Sequence, residues 1–149
     1  MSSEPTLRQL GRDDLPALLM LYQHLHAQDE PAPSNGVAIW DQICADPAQI
    51  YWGAFVDGLL VSACNATVIP NLTRGGRPYA LIENVVTHTA YRRRGIGAQV
   101  MRRLMARCWE RGCYKIMLMS GAARADAHAF YVGLGFDRAS KQAFVILAG

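Results

Sequence analysis

The amino-acid sequence predicts one domain of the α/β class, in which a central mixed sheet is flanked by about four helices. Two observations support this class. Patterns typical of strands and of helices alternate along the chain, and one helix is strongly amphipathic. A chain of 149 residues with 51% hydrophobic residues can also bury one substantial core, and it is too short for two ordinary ones. We therefore expect a single domain over residues 1–149.

The first third of the chain predicts one strand and two helices. Thr6–Leu10 has the composition of a short strand. Asp13 can cap a helix over Asp14–His26, and Pro16 is tolerated in its first turn because the amide there has no helical partner. A second helix is predicted over Val37–Ala45.

The rest of the chain predicts a hairpin followed by alternating elements. Ile50–Val56 and Leu59–Ile69 flank Asp57-Gly58, a dipeptide typical of a tight hairpin turn. The further predicted elements are a strand at Tyr79–His88, the amphipathic helix, a strand at Tyr114–Met119, a helix near Ala125–Leu134 and a last strand around Gln142–Leu147.

The amphipathic helix begins near Ile96 and follows the Tyr79–His88 strand after a short loop. Its apolar residues recur at spacings of four and one, and Gly112 predicts its C-terminal end. The apolar stripe consists of Ile96, Val100, Met101, Leu104, Met105, Cys108 and Trp109, and charged residues cover the other side.

The loop before this helix has the composition of an anion site. Gly95 and Gly97 lack a Cβ, so a bulky anion can approach the main chain closely. The helix adds unpaired N–H groups and the positive end of its dipole. Arg92, Arg93 and Arg94 add positive charge. These features predict a pyrophosphate site, and a plain turn with solvated arginines is the alternative.

Two motifs in the right order resemble those of a known family. Arg92–Gly97 matches the Arg/Gln-x-x-Gly-x-Gly/Ala signature of the Gcn5-related N-acetyltransferases, the GNAT family. Phe130-Tyr131 followed by Leu134–Phe136 matches the second signature of that family. The resemblance covers about Tyr79 to Phe136. It implies the GNAT acyl-CoA N-acyltransferase fold and an enzyme that transfers the acetyl group of acetyl-CoA directly to the primary amine of a small molecule.

The resemblance also implies a donor site. In the proteins that this chain resembles, acetyl-CoA lies in a cleft between the fourth and fifth strands, and its pantetheine arm pairs with the backbone of the fourth strand. The matching backbone belongs to Val85, Val86 and Thr87. The pyrophosphate contacts fall on Arg93, Arg94, Gly95, Ile96, Gly97 and Ala98, and Arg92 opens the signature with a side chain that either binds the donor or is structural.

Two residues are candidates for catalysis. The tyrosine that matches Tyr131 is assigned in the family as the acid that protonates the leaving thiolate. Reference pKa values of about 10 for tyrosine and about 8.5 for a thiol leave a hydrogen-bond donor as an alternative role. Core packing beside Phe130 is the structural alternative. Glu83 lies on the predicted fourth strand, where alternation puts it on one face with apolar Val85 and with Thr87. It is a candidate base acting through water, a ligand for the substrate ammonium, or a salt-bridge partner.

The identity of the acceptor amine is left open by two shorter resemblances. Ile82–Val86 and Gly112–Ile116 resemble glucosamine-6-phosphate N-acetyltransferases, whereas Asp126–Tyr131 resembles aminoalkylphosphonate acetyltransferases. Three arginines could recognise a phosphate, phosphonate or carboxylate, and each is otherwise a solvated surface residue: Arg74, Arg77 and Arg124.

Several other functions are less well supported. The formal charge of +3 is modest and concentrated around one helix, so we expect neither a nucleic-acid partner nor a membrane partner. A non-catalytic acyl-CoA-binding sensor with the same fold is the alternative to an enzyme. No cysteine spacing typical of a metal site occurs, and we expect no metal. The histidines with open roles are His24, His26, His88 and His128.

The sequence also supports expectations about cellular location and oligomeric state. No apolar run approaches the about 20 residues that span a bilayer, and the N-terminus lacks the basic and apolar regions of a signal peptide. We therefore expect a cytoplasmic protein whose four cysteines are reduced. A homodimer is expected because homodimers are common in the resembling family.

Overall fold

The computed structural model describes residues 3–25 and 31–149. The described residues form a mixed sheet of five strands, together with four α-helices. The strands are β1 (Thr6–Gln9), β2 (Gln49–Val56), β3 (Leu59–Ile69), β4 (Tyr79–Thr87) and β5 (Ile116–Leu118). The helices are α1 (Leu15–Tyr22), α2 (Gly36–Ala45), α3 (Ile96–Glu110) and α4 (Ala125–Gly133). The chain divides into two compact units, Met1–Met117 and Leu118–Gly149.

The strands lie in the order β1-β2-β3-β4-β5. The first four pair antiparallel with their neighbours. At the other edge, the amide of Tyr114 donates to the carbonyl of Pro78 at 2.9 Å, and the amide of Ala80 donates to the carbonyl of Lys115 at 3.1 Å. These residues lie where β4 and β5 begin, so both strands start side by side and run in the same direction.

Helices cover the sheet on both faces. Leu18 and Leu21 of α1 and Trp40 of α2 form one buried cluster with Ala63 and Val86 of the sheet. The apolar stripe of α3 is buried against β2 and β3. Strand β3 is accordingly buried without interruption from residue 60 to residue 66, as expected for a strand with both faces covered.

Most of the predicted elements are confirmed within one or two residues. Asp57 and Gly58 both take positive φ angles, 49° and 81°, as the predicted hairpin turn requires. Helix α3 ends at a Schellman motif, in which Gly112 has φ 84° and the amide of Cys113 donates to the carbonyl of Cys108 at 3.2 Å. The first helix was predicted too long at its C-terminal end: α1 ends at Tyr22 and residues 23–25 form a turn, while the predicted end, His26, lies outside the described residues.

Two predictions about strands need correction. The strand predicted at Tyr114–Met119 is shorter, since β5 covers only Ile116–Leu118. The last strand, predicted at Gln142–Leu147, is wrong: no strand occurs among residues 134–149. Phe144 and Ile146 are 89% and 96% exposed. A strand forms only where an edge pairs with it, and the described chain supplies no pairing for this segment.

Candidate active site

Strand β4 is interrupted by a β-bulge at Asn84–Val85. Val86 pairs with Ala63 of β3 and Glu83 pairs with Asn65, so the two bulge residues lie opposite a single residue of β3. A bulge of this kind bends the strand, disrupts the hydrogen-bond ladder and changes the direction of side chains. The centre of the predicted donor strand is therefore locally irregular.

The bulge is stabilised by an asparagine pair. Asn84 takes the left-handed conformation with φ 53°, which asparagine tolerates better than most residues. Its side-chain amide donates to Oδ1 of Asn65 at 3.2 Å. Asn65 is only 6% exposed, so this hydrogen bond satisfies a buried polar group. The asparagine pair thus supports an irregular backbone at the middle of β4.

The bulge also changes which side chains share a face of the sheet. The expected alternation put Glu83 with Val85 and Thr87, and this is wrong across the bulge. Residues paired across two strands point to the same face, so Glu83 shares a face with Val86. Val86 belongs to the core under α1 and α2, whereas Thr87 lies on the opposite face.

Glu83 is exposed. The sequence predicted a carboxylate surrounded by apolar neighbours, and this burial is not observed. Solvent reaches the side chain, which is compatible with taking a proton through water or with holding an ammonium group. Either role of Glu83, as a base acting through water or as a ligand for the ammonium group, would therefore be carried out by a solvent-exposed carboxylate.

The loop over Arg92–Ala98, called the donor loop below, presents main-chain amides. Arg93 and Gly95 both take positive φ angles, 62° and 75°. Gly95 is the N-cap of α3 and no side chain caps the helix. The first helical hydrogen bond runs from the amide of Gln99 to the carbonyl of Gly95 at 3.2 Å, so the amides of residues 96–98 have no helical acceptor. Such an array of N–H groups at a helix N-terminus suits a phosphate.

The three arginines of the donor loop are in different environments. Nε of Arg92 donates to the carbonyl of Thr87 at 3.1 Å, and one terminal nitrogen donates to the carbonyl of His24 at 3.2 Å. Arg93 and Arg94 are exposed and form no ion pair with any described residue. Arg92 therefore holds the end of β4 to the end of α1. The guanidinium groups of Arg93 and Arg94 have no carboxylate partner among the described residues, and Cζ of Arg94 lies 5.1 Å from the ring centroid of Tyr91.

Two histidines stack beside Arg92. The ring centroids of His24 and His88 are 4.0 Å apart. The amide of Thr89 donates to Nδ1 of His24 at 3.4 Å, and the amide of Ala90 donates to Nδ1 of His88 at 3.1 Å. Desolvation lowers the pKa of His24, and the charges of His88 and Arg92 lower it further. This arrangement favours the neutral form of His24, which follows α1 and stacks on His88 at the end of β4.

Tyr131 lies on α4 in the second unit. It is half-buried, and its ring lies 5.3 Å from that of Phe130 and 6.1 Å from that of Phe136. The amide of Phe136 donates to the carbonyl of Tyr131 at 3.1 Å, and Gly135 takes φ 103°. The second signature therefore ends α4 in a compact turn around the tyrosine.

Comparison with known proteins identifies the family. The acetyltransferase (GNAT) family profile matches residues 15–136. This chain belongs to that family. The match extends well beyond the segment that carries the two signatures, and it confirms the predicted GNAT fold.

Individual relatives agree with this assignment. Over 142 residues the acetyltransferase is 33% identical to glucosamine 6-phosphate N-acetyltransferase of Trypanosoma brucei brucei, covering 91% of each chain. A structure from Agrobacterium tumefaciens str. C58, described as an acetyltransferase, is 39% identical with a TM-score of 0.91, covering 96% of this chain and 99% of its own. A transcriptional regulator from Bacillus halodurans C-125 is 29% identical with a TM-score of 0.84, covering 97% and 100%.

The protein is accordingly an N-acetyltransferase, and acetyl-CoA is the donor that the family uses. The predicted enzyme class is confirmed over the alternative of a non-catalytic sensor. No helix in the described part of the chain is long and apolar enough to cross a membrane. Among residues 3–25 and 31–149, no three potential ligands come together as a metal site.

The thiols of the acetyltransferase are poor nucleophiles. All four cysteines are free, and only Cys44 is exposed. Burial raises the pKa of Cys108 to about 11, and it raises the pKa of Cys64 as well. A thiol with a raised pKa stays protonated at neutral pH, and the thiolate is the reactive form.

Two features of this acetyltransferase were missed by sequence reasoning. The bulge at Asn84 has a weak signal, since asparagine is uncommon inside strands and tolerates positive φ. Arg74 and Arg77 were named singly as candidates for phosphate recognition, but their grouping with Lys115 and two tyrosines has no local signal, because its members come from two separate segments. Two other candidates from the sequence, His128 and Arg124, have only local positions to report. Nε2 of His128 lies 2.8 Å from the carbonyl of Gly121, and Arg124 is the residue before α4.

Proposed function

We propose that this enzyme transfers the acetyl group of acetyl-CoA directly to the primary amine of a small phosphorylated molecule, with glucosamine 6-phosphate as the leading candidate. The single observation that carries this proposal is the relative from Trypanosoma brucei brucei, a glucosamine 6-phosphate N-acetyltransferase that matches 91% of the chain. The resemblance at Ile82–Val86 and Gly112–Ile116 points to the same acceptor class.

The donor loop fits a pyrophosphate. It offers three amides without helical acceptors and two arginines without carboxylate partners among the described residues. The backbone of β4 beyond the bulge would hold the pantetheine arm, and bound acetyl-CoA supplies the activated acetyl group. The residues proposed to hold the donor are Val85, Val86, Thr87, Arg93, Arg94, Gly95, Ile96, Gly97 and Ala98, with Arg92 supporting the loop.

Two side chains are proposed for proton transfer. Glu83 takes a proton from the acceptor ammonium through water, or holds that ammonium in place, and its exposure allows either role. The phenol of Tyr131 donates a hydrogen bond or its proton to the departing sulfur. Full turnover and an unchanged pH profile in Glu83→Gln would exclude both roles of Glu83.

A homodimer is proposed from the C-terminal segment. Phe144, Val145, Ile146 and Leu147 are between 68% and 96% exposed, which is unfavourable for four consecutive apolar residues in water. Pairing with a second copy would cover them. Light scattering should give the mass of two chains for the full-length protein and of one chain after deletion of residues 142–149. A full-length monomer would contradict the dimer.

We also propose a cytoplasmic location, where the four free thiols stay reduced.

The proposed function is tested by measuring thiol release from acetyl-CoA with a panel of amines. The panel contains glucosamine 6-phosphate, glucosamine, an aminoalkylphosphonate, a polyamine and a reaction without amine. We expect CoA release to require an acceptor and kcat/KM to be highest for glucosamine 6-phosphate. A higher kcat/KM for an unphosphorylated amine would contradict the proposed substrate class. Tight acetyl-CoA binding without acceptor-dependent release would contradict catalysis altogether.

A further inference from the structure

Three cations surround two tyrosines where β4 and β5 begin. This group, called the cationic cluster below, consists of Arg74, Arg77, Lys115, Tyr79 and Tyr114. Cζ of Arg74 and Cζ of Arg77 lie 5.6 Å and 5.5 Å from the ring centroid of Tyr114. Nζ of Lys115 lies 5.3 Å from the Tyr114 ring and 5.4 Å from the Tyr79 ring. Each cation is thus within the range of a cation–π contact.

The loop before β4 holds both arginines in place. The side-chain amide of Asn71 donates to the carbonyls of Thr73 and Arg77 at 3.2 Å and 3.3 Å. Nε of Arg77 donates to the carbonyl of Arg74 at 3.0 Å. Arg74 is not a glycine and yet has φ 57°, a conformation that costs energy and persists only when its surroundings impose it. The arginines are therefore positioned by a structured loop.

The positive charge of the cluster is not neutralised by the chain. In the part of the chain that the structure describes, no carboxylate lies within ion-pair distance of Arg74, Arg77 or Lys115. Three like charges around one tyrosine repel one another. A phosphate monoester would remove this repulsion and would accept hydrogen bonds from the guanidinium and ammonium groups. The cluster therefore has the composition of a phosphate site.

The position of the cluster separates it from the donor's phosphates. The cluster precedes β4 and the donor loop follows it, and a strand of this length spans roughly 26 Å. Tyr79 and Glu83 lie on the same face of β4, four residues or roughly 13 Å apart. An acceptor whose amine approaches Glu83 can therefore direct its other end along this face of β4 toward the cluster.

We infer that the cationic cluster binds the phosphate of the acceptor and makes the enzyme specific for a phosphorylated primary amine. This inference rests on the proposed function. Arg74 and Arg77 supply paired hydrogen bonds to the phosphate oxygens, and Lys115 supplies the third positive charge. The tyrosine rings orient the three cations before the acceptor binds.

The kinetic test compares glucosamine 6-phosphate with glucosamine. In the double variant Arg74→Gln/Arg77→Gln, the ratio of the two kcat/KM values should fall by about 10- to 100-fold, since hydrogen bonds to charged groups are lost. Activity on glucosamine and the KM for acetyl-CoA should stay unchanged. Arg103→Gln removes the same charge from an exposed position on α3 and should leave the ratio unchanged. Lys115→Arg, which keeps the charge, should retain most of the discrimination.

A binding test does not depend on acetyl transfer. Titration calorimetry with glucose 6-phosphate, which has no amine, should show binding to the CoA-bound wild-type protein and at least about tenfold weaker binding to the double variant. An unchanged affinity would overturn the inference even if the enzyme uses another amine. A raised KM for acetyl-CoA with an unchanged acceptor ratio would also overturn it, because the cluster would then serve the donor.

Discussion

Arginine-rich regions lie at both ends of β4, and they present different chemical groups. The donor loop after β4 offers main-chain amides, and two of its residues, Arg93 and Gly95, take the left-handed conformation. The cationic cluster before β4 instead offers side chains, and Tyr114 brings together cations from two segments. A site made from consecutive amides leaves a short motif in the sequence, whereas a site made from distant side chains does not.

The difference extends to what each region can select. Amides and a helix N-terminus recognise a phosphate group in general, and they suit a donor that every family member shares. Guanidinium groups on an aromatic ring can be replaced one at a time, so they suit an acceptor that differs between relatives. The two regions should therefore respond to different substitutions, and the following predictions test this separation.

The largest effect is expected from Tyr131→Phe, which changes neither region. Removing the phenol hydroxyl should lower kcat by at least about 100-fold, because a positioned acid or hydrogen-bond donor contributes on this scale. The KM for acetyl-CoA and the preference for a phosphorylated acceptor should both stay unchanged in steady-state assays. Full turnover with normal acetyl-CoA affinity would exclude Tyr131 from catalysis.

Gly95→Val should affect the donor alone. Gly95 has φ 75°, and a β-branched residue is strongly disfavoured there although open space surrounds the position of a Cβ. We expect the loop of the variant to leave the left-handed conformation in the free enzyme and to recover it on binding, so a cost of about 1–2 kcal/mol raises the KM for acetyl-CoA by about 5- to 30-fold. Gly95→Asn is the matched control, since asparagine tolerates the left-handed region and should show a smaller rise. A change in the acceptor ratio would break the proposed separation.

Neighbouring arginines of the donor loop should separate binding from stability. Arg93→Gln should raise the KM for acetyl-CoA by about 2- to 5-fold at low salt, because an exposed charge at a helix N-terminus contributes little more. Arg92→Gln should instead lower the free energy of unfolding by about 1 kcal/mol, since the hydrogen bonds to the carbonyls of Thr87 and His24 are lost. Urea titration and steady-state kinetics measure the two effects. Equal loss of affinity in both variants would contradict the structural role of Arg92.

Features that depend on residues close together in the sequence could be predicted, whereas features that depend on contacts between distant residues could not. Helix α3 and the β2–β3 hairpin were predicted closely because periodicity, a capping glycine and a turn dipeptide act within a few residues. The bulge at Asn84–Val85 was not predicted, since it depends on pairing with a buried asparagine on the neighbouring strand. The burial expected for Glu83 was wrong for the same reason.

The C-terminal segment shows the opposite error. Gln142–Leu147 has the composition of a strand, yet it forms none in the described chain. Strand propensity measures how well side chains suit a pleated, half-buried surface, and it does not supply the edge that must pair with them. The family motifs pointed to the donor loop for a related reason: they record a local backbone requirement, whereas the proposed acceptor contacts come from residues distant in sequence.

The smallest effect is expected from pH at the histidine stack beside Arg92. Desolvation, His88 and Arg92 all lower the pKa of His24, so protons bind its imidazole more readily in the unfolded chain. The stability from neutral His24 is therefore fully present above the unfolded pKa of about 6.5, and it is lost as pH falls toward the folded value. Urea unfolding on either side of that pH should show a smaller loss at low pH in His24→Gln than in wild type. His128→Gln, which leaves the stack intact, should keep the wild-type dependence. An identical dependence in all three proteins would show that the stack contributes nothing to pH-dependent stability.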